Sequence, residues 1–99
     1  MRPAALTPGE IGAALQAVPA WKHEGNAIRR TVDCETFPAA VALVGAIAVA
    51  AEAMNHHPDI LIRYNKVTLT LSTHDAGGLT SKDFDLARTI DTLVATKAG

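Results

Sequence analysis

The chain has 99 residues, a mass of 10.4 kDa, a formal net charge of −1 and a pI near 6.4; 48% of it is hydrophobic but only 4% aromatic. That length suits one domain over residues 1–99 and excludes a two-half dinucleotide fold, a TIM barrel or a multidomain enzyme. The balanced charge, with no basic cluster or acidic run, speaks against nucleic acid as a partner, because neutralising phosphates takes a surplus of Lys and Arg.

From the N-terminus, Met1 to Glu10 has no apolar run of the signal-peptide kind. Thr7-Pro8-Gly9-Glu10 reads as a helix start, with Thr7 as N-cap, Pro8 at the first helical position and Glu10 completing a capping box. Ile11, Ala14, Leu15 and Val18 follow at helical spacing, and Pro19 stops the run. Trp21 to Glu24, Gly25-Asn26, then Ala27 to Val32 is the pattern of a hairpin with a two-residue turn. Cys34 is the lone cysteine. It offers neither an internal disulfide nor zinc-ligand spacing, and a reducing cytoplasm is the expected location.

Pro38 and the His57-Pro58 pair bracket a helix of about Pro38 to Met54. Alanine supplies 19 of the hydrophobic residues, eight of them between 39 and 53. Val41, Leu43, Val44, Ile47 and Val49 do not fit one narrow stripe, so this helix is expected to be buried on two faces. So small a domain cannot cover both faces itself. A subunit interface is the preferred explanation, with alanines and Gly45 permitting close approach. The uncharged run Phe37 to Ala51 falls short of the roughly 20 residues a membrane span requires, so no membrane partner is expected.

Ile60 to Tyr64 and Val67 to Ser72 form a second hairpin, with its turn expected at Asn65-Lys66. Val67, Leu69 and Leu71 alternate with threonines, as in an antiparallel sheet with one covered face. His74-Asp75-Ala76-Gly77-Gly78 is a turn. Thr80-Ser81-Lys82-Asp83 caps a final helix to about Lys97, with Phe84, Ala87, Ile90 and Val94 as its apolar face and Leu86 and Leu93 widening it. Phe37 and Phe84 are core candidates. The order α-β-β-α-β-β-α predicts an α+β fold, a four-stranded antiparallel sheet with three helices packed on one face.

Three of the four histidines converge in this scheme. An antiparallel second hairpin lays the start of its first strand beside the end of its second, which brings His74 within reach of His56 and His57. Histidine donates and accepts protons near neutral pH, so three around one pocket suit acid–base catalysis. A metal site and a purely structural cluster remain open as alternatives; adjacent histidines chelate poorly, and only Glu52 could approach as a further ligand. Glu52 and Asp83 are either solvated or first-turn helix carboxylates, or partners that orient an imidazole. Trp21 is either core or a ligand platform. No Ser, Cys or Lys stands in a nucleophile motif.

Glu52, three residues, His56-His57-Pro58, five residues, Tyr64, nine residues, His74, eight residues and Asp83 together resemble the signature of the pterin-4a-carbinolamine dehydratases. Asn55, Tyr64-Asn65-Lys66-Val67, Leu71-Ser72-Thr73-His74, Gly78-Leu79 and Trp21 extend the resemblance over roughly residues 6 to 95. It implies an enzyme that dehydrates 4a-hydroxytetrahydropterins to quinonoid dihydropterins in tetrahydropterin recycling, with no metal or organic cofactor, as a homodimer or homotetramer. The implied catalytic residues are His56, His57 and His74. Asn55, Ser72, Thr73, Asp75 and Trp21 are the implied substrate contacts, with Glu52 and Asp83 in support. His57 is taken as the principal base, His56 and His74 assisting departure of the hydroxyl. Asp75 stands where animal members often have Glu, and Ala76 where some have cysteine; neither departure touches the histidines. The alternative is a non-enzymatic dimeric or chaperone-like module with a vestigial pterin pocket; the chaperone relatives tend to lack the full histidine set, so the intact set here argues for the enzyme.

Overall fold

In the computed structural model, which describes residues 4–98, the chain runs α1 (Pro8–Leu15), β1 (Lys22–Glu24), β2 (Ala27–Asp33), α2 (Phe37–Met54), β3 (Asp59–Arg63), β4 (Lys66–Leu71), a single 3-10 turn (His74–Ala76) and α3 (Ser81–Ala98). Met1 to Pro3 and Gly99 of the expected domain lie outside the described residues. All strand pairs are antiparallel, as the sequence predicts, and the strands lie side by side in the order β1-β2-β4-β3.

Local chemistry accounts for most boundaries. The Thr7–Glu10 capping box forms with both reciprocal bonds, at 3.2 and 2.8 Å. Helix α1 ends at Leu15, and the expected run to Val18 finishes instead as tight turns that bury Val18. Thr36 caps α2, its hydroxyl accepting from the Ala39 N–H at 3.1 Å.

The second hairpin turns one residue earlier than expected, at Tyr64-Asn65, so Arg63 lies opposite Lys66 and Ile62 opposite Val67. The cause lies outside the hairpin. Asn65 is held by Cys34, donating from Nδ2 to its carbonyl at 2.7 Å and accepting its N–H at 2.8 Å, while Tyr64 takes a φ of +54°.

The core lies between the sheet and the helices. Val67, Leu69 and Leu71 of the central strand β4 are fully buried with Ile28 and Val32 of β2, and Ala40, Leu43, Ile47 and Ala51 of α2 and Phe84, Leu86, Ala87 and Ile90 of α3 complete the cluster. Thr31 and Thr68 face the other way and pair across strands at 2.9 Å. Phe84 is a core residue as expected. Phe37 is not: it sits at the start of α2 and is 49% exposed. Val41 and Val49 mark the outward side of α2, Val49 at 73% exposure. By length and composition α2 could cross a membrane, yet its opposite side supplies four residues of the domain core.

Candidate active site

The site begins where α2 stops. Asn55 adopts the left-handed conformation (φ 50°, ψ 44°), its N–H donates to the Glu52 carbonyl, and the His56 N–H reaches back to Ala51 at 3.1 Å. This is a Schellman ending, which asparagine tolerates better than other non-glycine residues. Pro58 then keeps His57 out of helical geometry. The two adjacent histidines leave the helix in different directions and meet different partners.

His56 turns inward. Its Nε2 lies 2.6 Å from Asp83 Oδ1, and both side chains are buried, that of Asp83 completely. Asp83 stands in the first turn of α3, where the helix dipole favours negative charge. Its other oxygen, Oδ2, accepts from the Thr73 hydroxyl at 2.8 Å and from the Thr80 N–H at 2.9 Å. His57 turns outward and pairs with Glu52 at 2.9 Å, with both side chains largely exposed. Solvent screens such a surface pair, which holds His57 much less firmly than Asp83 holds His56.

His74 comes from a small closed loop. Thr73 and Gly78 exchange backbone hydrogen bonds at 3.0 and 3.3 Å, and Gly77 closes the 3-10 turn at φ +72°. Every helix and strand that the hairpin argument needed is present, and the expected convergence follows. Asn55, His56, His57, Ser72, Thr73, His74, Asp75 and Lys82 line one open cavity of about 350 Å³.

Most of the residues singled out in the sequence therefore meet at one place. Thr73 lines the cavity, but its hydroxyl is committed to Asp83 and Thr80. Trp21 is not among the lining residues. Its indole is 4% exposed within the core, and its N–H donates to Asp91 of α3 at 2.8 Å, beside the Arg30–Asp91 ion pair. Two site residues escaped the sequence reading. Lys82 lines the cavity from the first turn of α3, where it reads as an ordinary exposed helix residue. Thr80 is fully buried behind it, where its only sequence signal is that of a helix cap. Among the described residues no three His, Cys, Asp or Glu side chains are grouped to hold a metal ion. A wider depression of about 1010 Å³ lies over the uncovered sheet face near Arg29, Leu61 and Thr68, but it contains no histidine.

Fold and cavity together define a small α+β domain with a histidine-lined site between the end of its central helix and the start of its last. A solved structure of the same fold, described as a transcriptional coactivator/pterin dehydratase from Brucella melitensis, superposes with a TM-score of 0.88 at 33% identity, covering 91% of this chain and 98% of that one. The family model for pterin 4 alpha carbinolamine dehydratase matches residues 4–93, and the chain belongs to that family. A relative from Nocardia farcinica, provisionally named pterin-4-alpha-carbinolamine dehydratase, is 58% identical over 88 residues, spanning 89% of this chain and 93% of the relative. Membership places the chain among enzymes of the hydro-lyase class. A pterin dehydratase-like protein described as a RuBisCO assembly factor in the alpha-carboxysome shares the fold more loosely, with a TM-score of 0.62 at 19% identity over 75% of this chain and 86% of that one.

Proposed function

We propose that the chain removes water from a 4a-hydroxytetrahydropterin, leaving the quinonoid dihydropterin, as a step of tetrahydropterin recycling in the cytoplasm. The observation that carries this reading is the meeting of His56, His57 and His74 around one cavity. The bond from C4a to the hydroxyl oxygen breaks as an acid protonates the leaving hydroxyl. A base takes the proton from the neighbouring ring nitrogen, whose electron pair forms the new C=N bond. Water and the dihydropterin account for every atom, and the substrate exchanges no electrons with an outside partner, so the reaction calls for neither metal nor organic cofactor. Imidazoles suit both proton transfers.

The geometry favours His56 rather than His57 as the base, because its ring is held by a buried carboxylate and presented to the cavity in one orientation. The exposed pair of His57 with Glu52, together with His74, then serves the departing hydroxyl. Asn55, Ser72 and Asp75 supply polar contacts for the pterin ring, and Asp83 supports His56. Trp21, implied as a contact by family resemblance, acts from the core by fixing α3 through Asp91.

The outward side of α2, with Val41 and Val49 exposed beside alanines and Gly45, supports assembly of the chain into a homodimer or homotetramer through this helix. The test of function is turnover of a chemically prepared 4a-hydroxytetrahydropterin by purified protein, followed by absorbance. Acceleration over buffer supports the dehydratase. Binding without acceleration replaces it with a non-enzymatic interaction module, a reading that the coactivator description of the Brucella relative keeps in view.

A further inference from the structure

Asp83 is fully buried, and both of its oxygens are engaged. The donors around it can be ordered by counting protons. A threonine hydroxyl has one proton to give and two lone pairs to receive. Thr73 gives its proton to Asp83 Oδ2 at 2.8 Å, so in the 2.8 Å contact between Thr73 and Thr80 the donor is Thr80. The Thr80 oxygen in turn accepts the Lys82 backbone N–H at 3.3 Å, while the Thr80 N–H donates to the same Oδ2 at 2.9 Å. The hydrogen bonds therefore run one way, from the first turn of α3 through two hydroxyls into the carboxylate.

With Oδ2 taken by two donors, Oδ1 is left for His56. A carboxylate oxygen only accepts, so the proton of this contact sits on His56 Nε2. In the neutral ring Nδ1 is then bare. No side-chain nitrogen or oxygen among the described residues is both buried and unpartnered, and Nδ1 has no partner, so Nδ1 touches solvent on a residue that lines the cavity.

We infer that Thr73 and Thr80 are positioning residues for His56: their hydroxyls orient Asp83 so that the imidazole keeps its proton on Nε2 and presents Nδ1 as the base. The inference rests on the dehydratase reading for its catalytic consequence and on geometry alone for the tautomer. A helix cap by itself needs only an acceptor at position 80, which Ser, Asp or Asn would also supply. Passing a proton on to Thr73 requires a hydroxyl. Lys82, His57 with Glu52, His74 and Asp75 surround the same cavity, but none of them hydrogen-bonds His56.

The test combines imidazole ¹⁵N spectra with steady-state kinetics on the full chain, the His56 signals being assigned by their loss in His56→Gln. The wild type is expected to show His56 protonated on Nε2 and unprotonated on Nδ1. In Thr80→Val and Thr73→Val the Nδ1-protonated form should appear. In both, kcat should fall about 10- to 100-fold with KM little changed, as for a misplaced catalytic group, and Thr80→Ser should restore both readouts. A wild-type ring protonated on Nδ1 overturns the inference even where a valine variant does not fold. So does a folded Thr80→Val protein with the wild-type ring pattern, or with an altered pattern and an unchanged kcat. The predicted tautomer in a protein that turns over no pterin would refute the dehydratase reading while leaving the hydroxyl relay in place.

Discussion

His56 and Asp83 meet at 2.6 Å across 27 positions of sequence, one just past the end of α2 and the other in the first turn of α3. The contact joins the two helices at the rim of the cavity, and the charge it buries is held by three donors rather than left bare. Removing one partner of such a group strands the others, which makes the pair a sensitive point for both folding and chemistry.

Asp83→Asn should therefore be folded but poor in turnover. The amide can donate where the carboxylate only accepts, so His56 is released to the other tautomer, and kcat is expected to drop by about 10²-fold or more. Asp83→Ala should in addition lose about 1–3 kcal/mol of stability, because Thr73, the Thr80 N–H and His56 lose their acceptor. Urea denaturation beside steady-state rates separates the two effects.

His57→Ala and His74→Ala should each slow dehydration by about 10²-fold or more if those imidazoles serve the departing hydroxyl. Unchanged rates in both variants would remove these two imidazoles from the departure of the hydroxyl. Glu52→Ala should be mild by comparison, changing stability by less than about 1 kcal/mol, since its pair with His57 is exposed.

Asn55 separates a backbone role from a side-chain role. Asn55→Val should cost about 1–2 kcal/mol, because a branched residue resists the left-handed conformation that ends α2. Asn55→Gly should keep stability close to the wild type, so any rise in its KM reads the contribution of the amide to pterin binding. Loss of stability in the glycine variant would show that the amide, and not the backbone, holds the helix end.

If the outward side of α2 joins subunits, Val41→Glu combined with Val49→Glu should convert the assembly to a monomer in light scattering after size exclusion. Both side chains are exposed within one chain, so the charges should not disturb the core. A wild-type protein that is already a stable monomer would refute this account of the helix.

Much of this architecture is legible in the sequence because it rests on local rules. The Thr7 capping box, the Gly25-Asn26 turn, the end of α2 at Met54 and the alternation of Val67, Leu69 and Leu71 are each fixed by neighbours a few residues away. The convergence of His74 on His56 and His57 follows from one antiparallel hairpin, and it survives a turn displaced by a residue. What is not legible depends on distant contacts. Tyr64 enters the left-handed region because Cys34 holds Asn65 from another segment, and no propensity of tyrosine announces it. Trp21 faces Asp91, 70 positions away, rather than the cavity. Thr80 looks like a cap in sequence, and only packing against Thr73 gives its hydroxyl a second partner.

The left-handed ending of α2 also makes that helix a ruler. Its buried side, Ala40, Leu43, Ile47 and Ala51, is keyed to the sheet and α3, so the rotational phase at Asn55 is set from within the core. One residue added between Ala51 and Asn55 would swing the exit of the chain by about 100° and advance it by about 1.5 Å. His56 would then point away from Asp83 although every residue of the site was still present. The length of this segment is thus as much a part of the chemistry as the identity of its histidines.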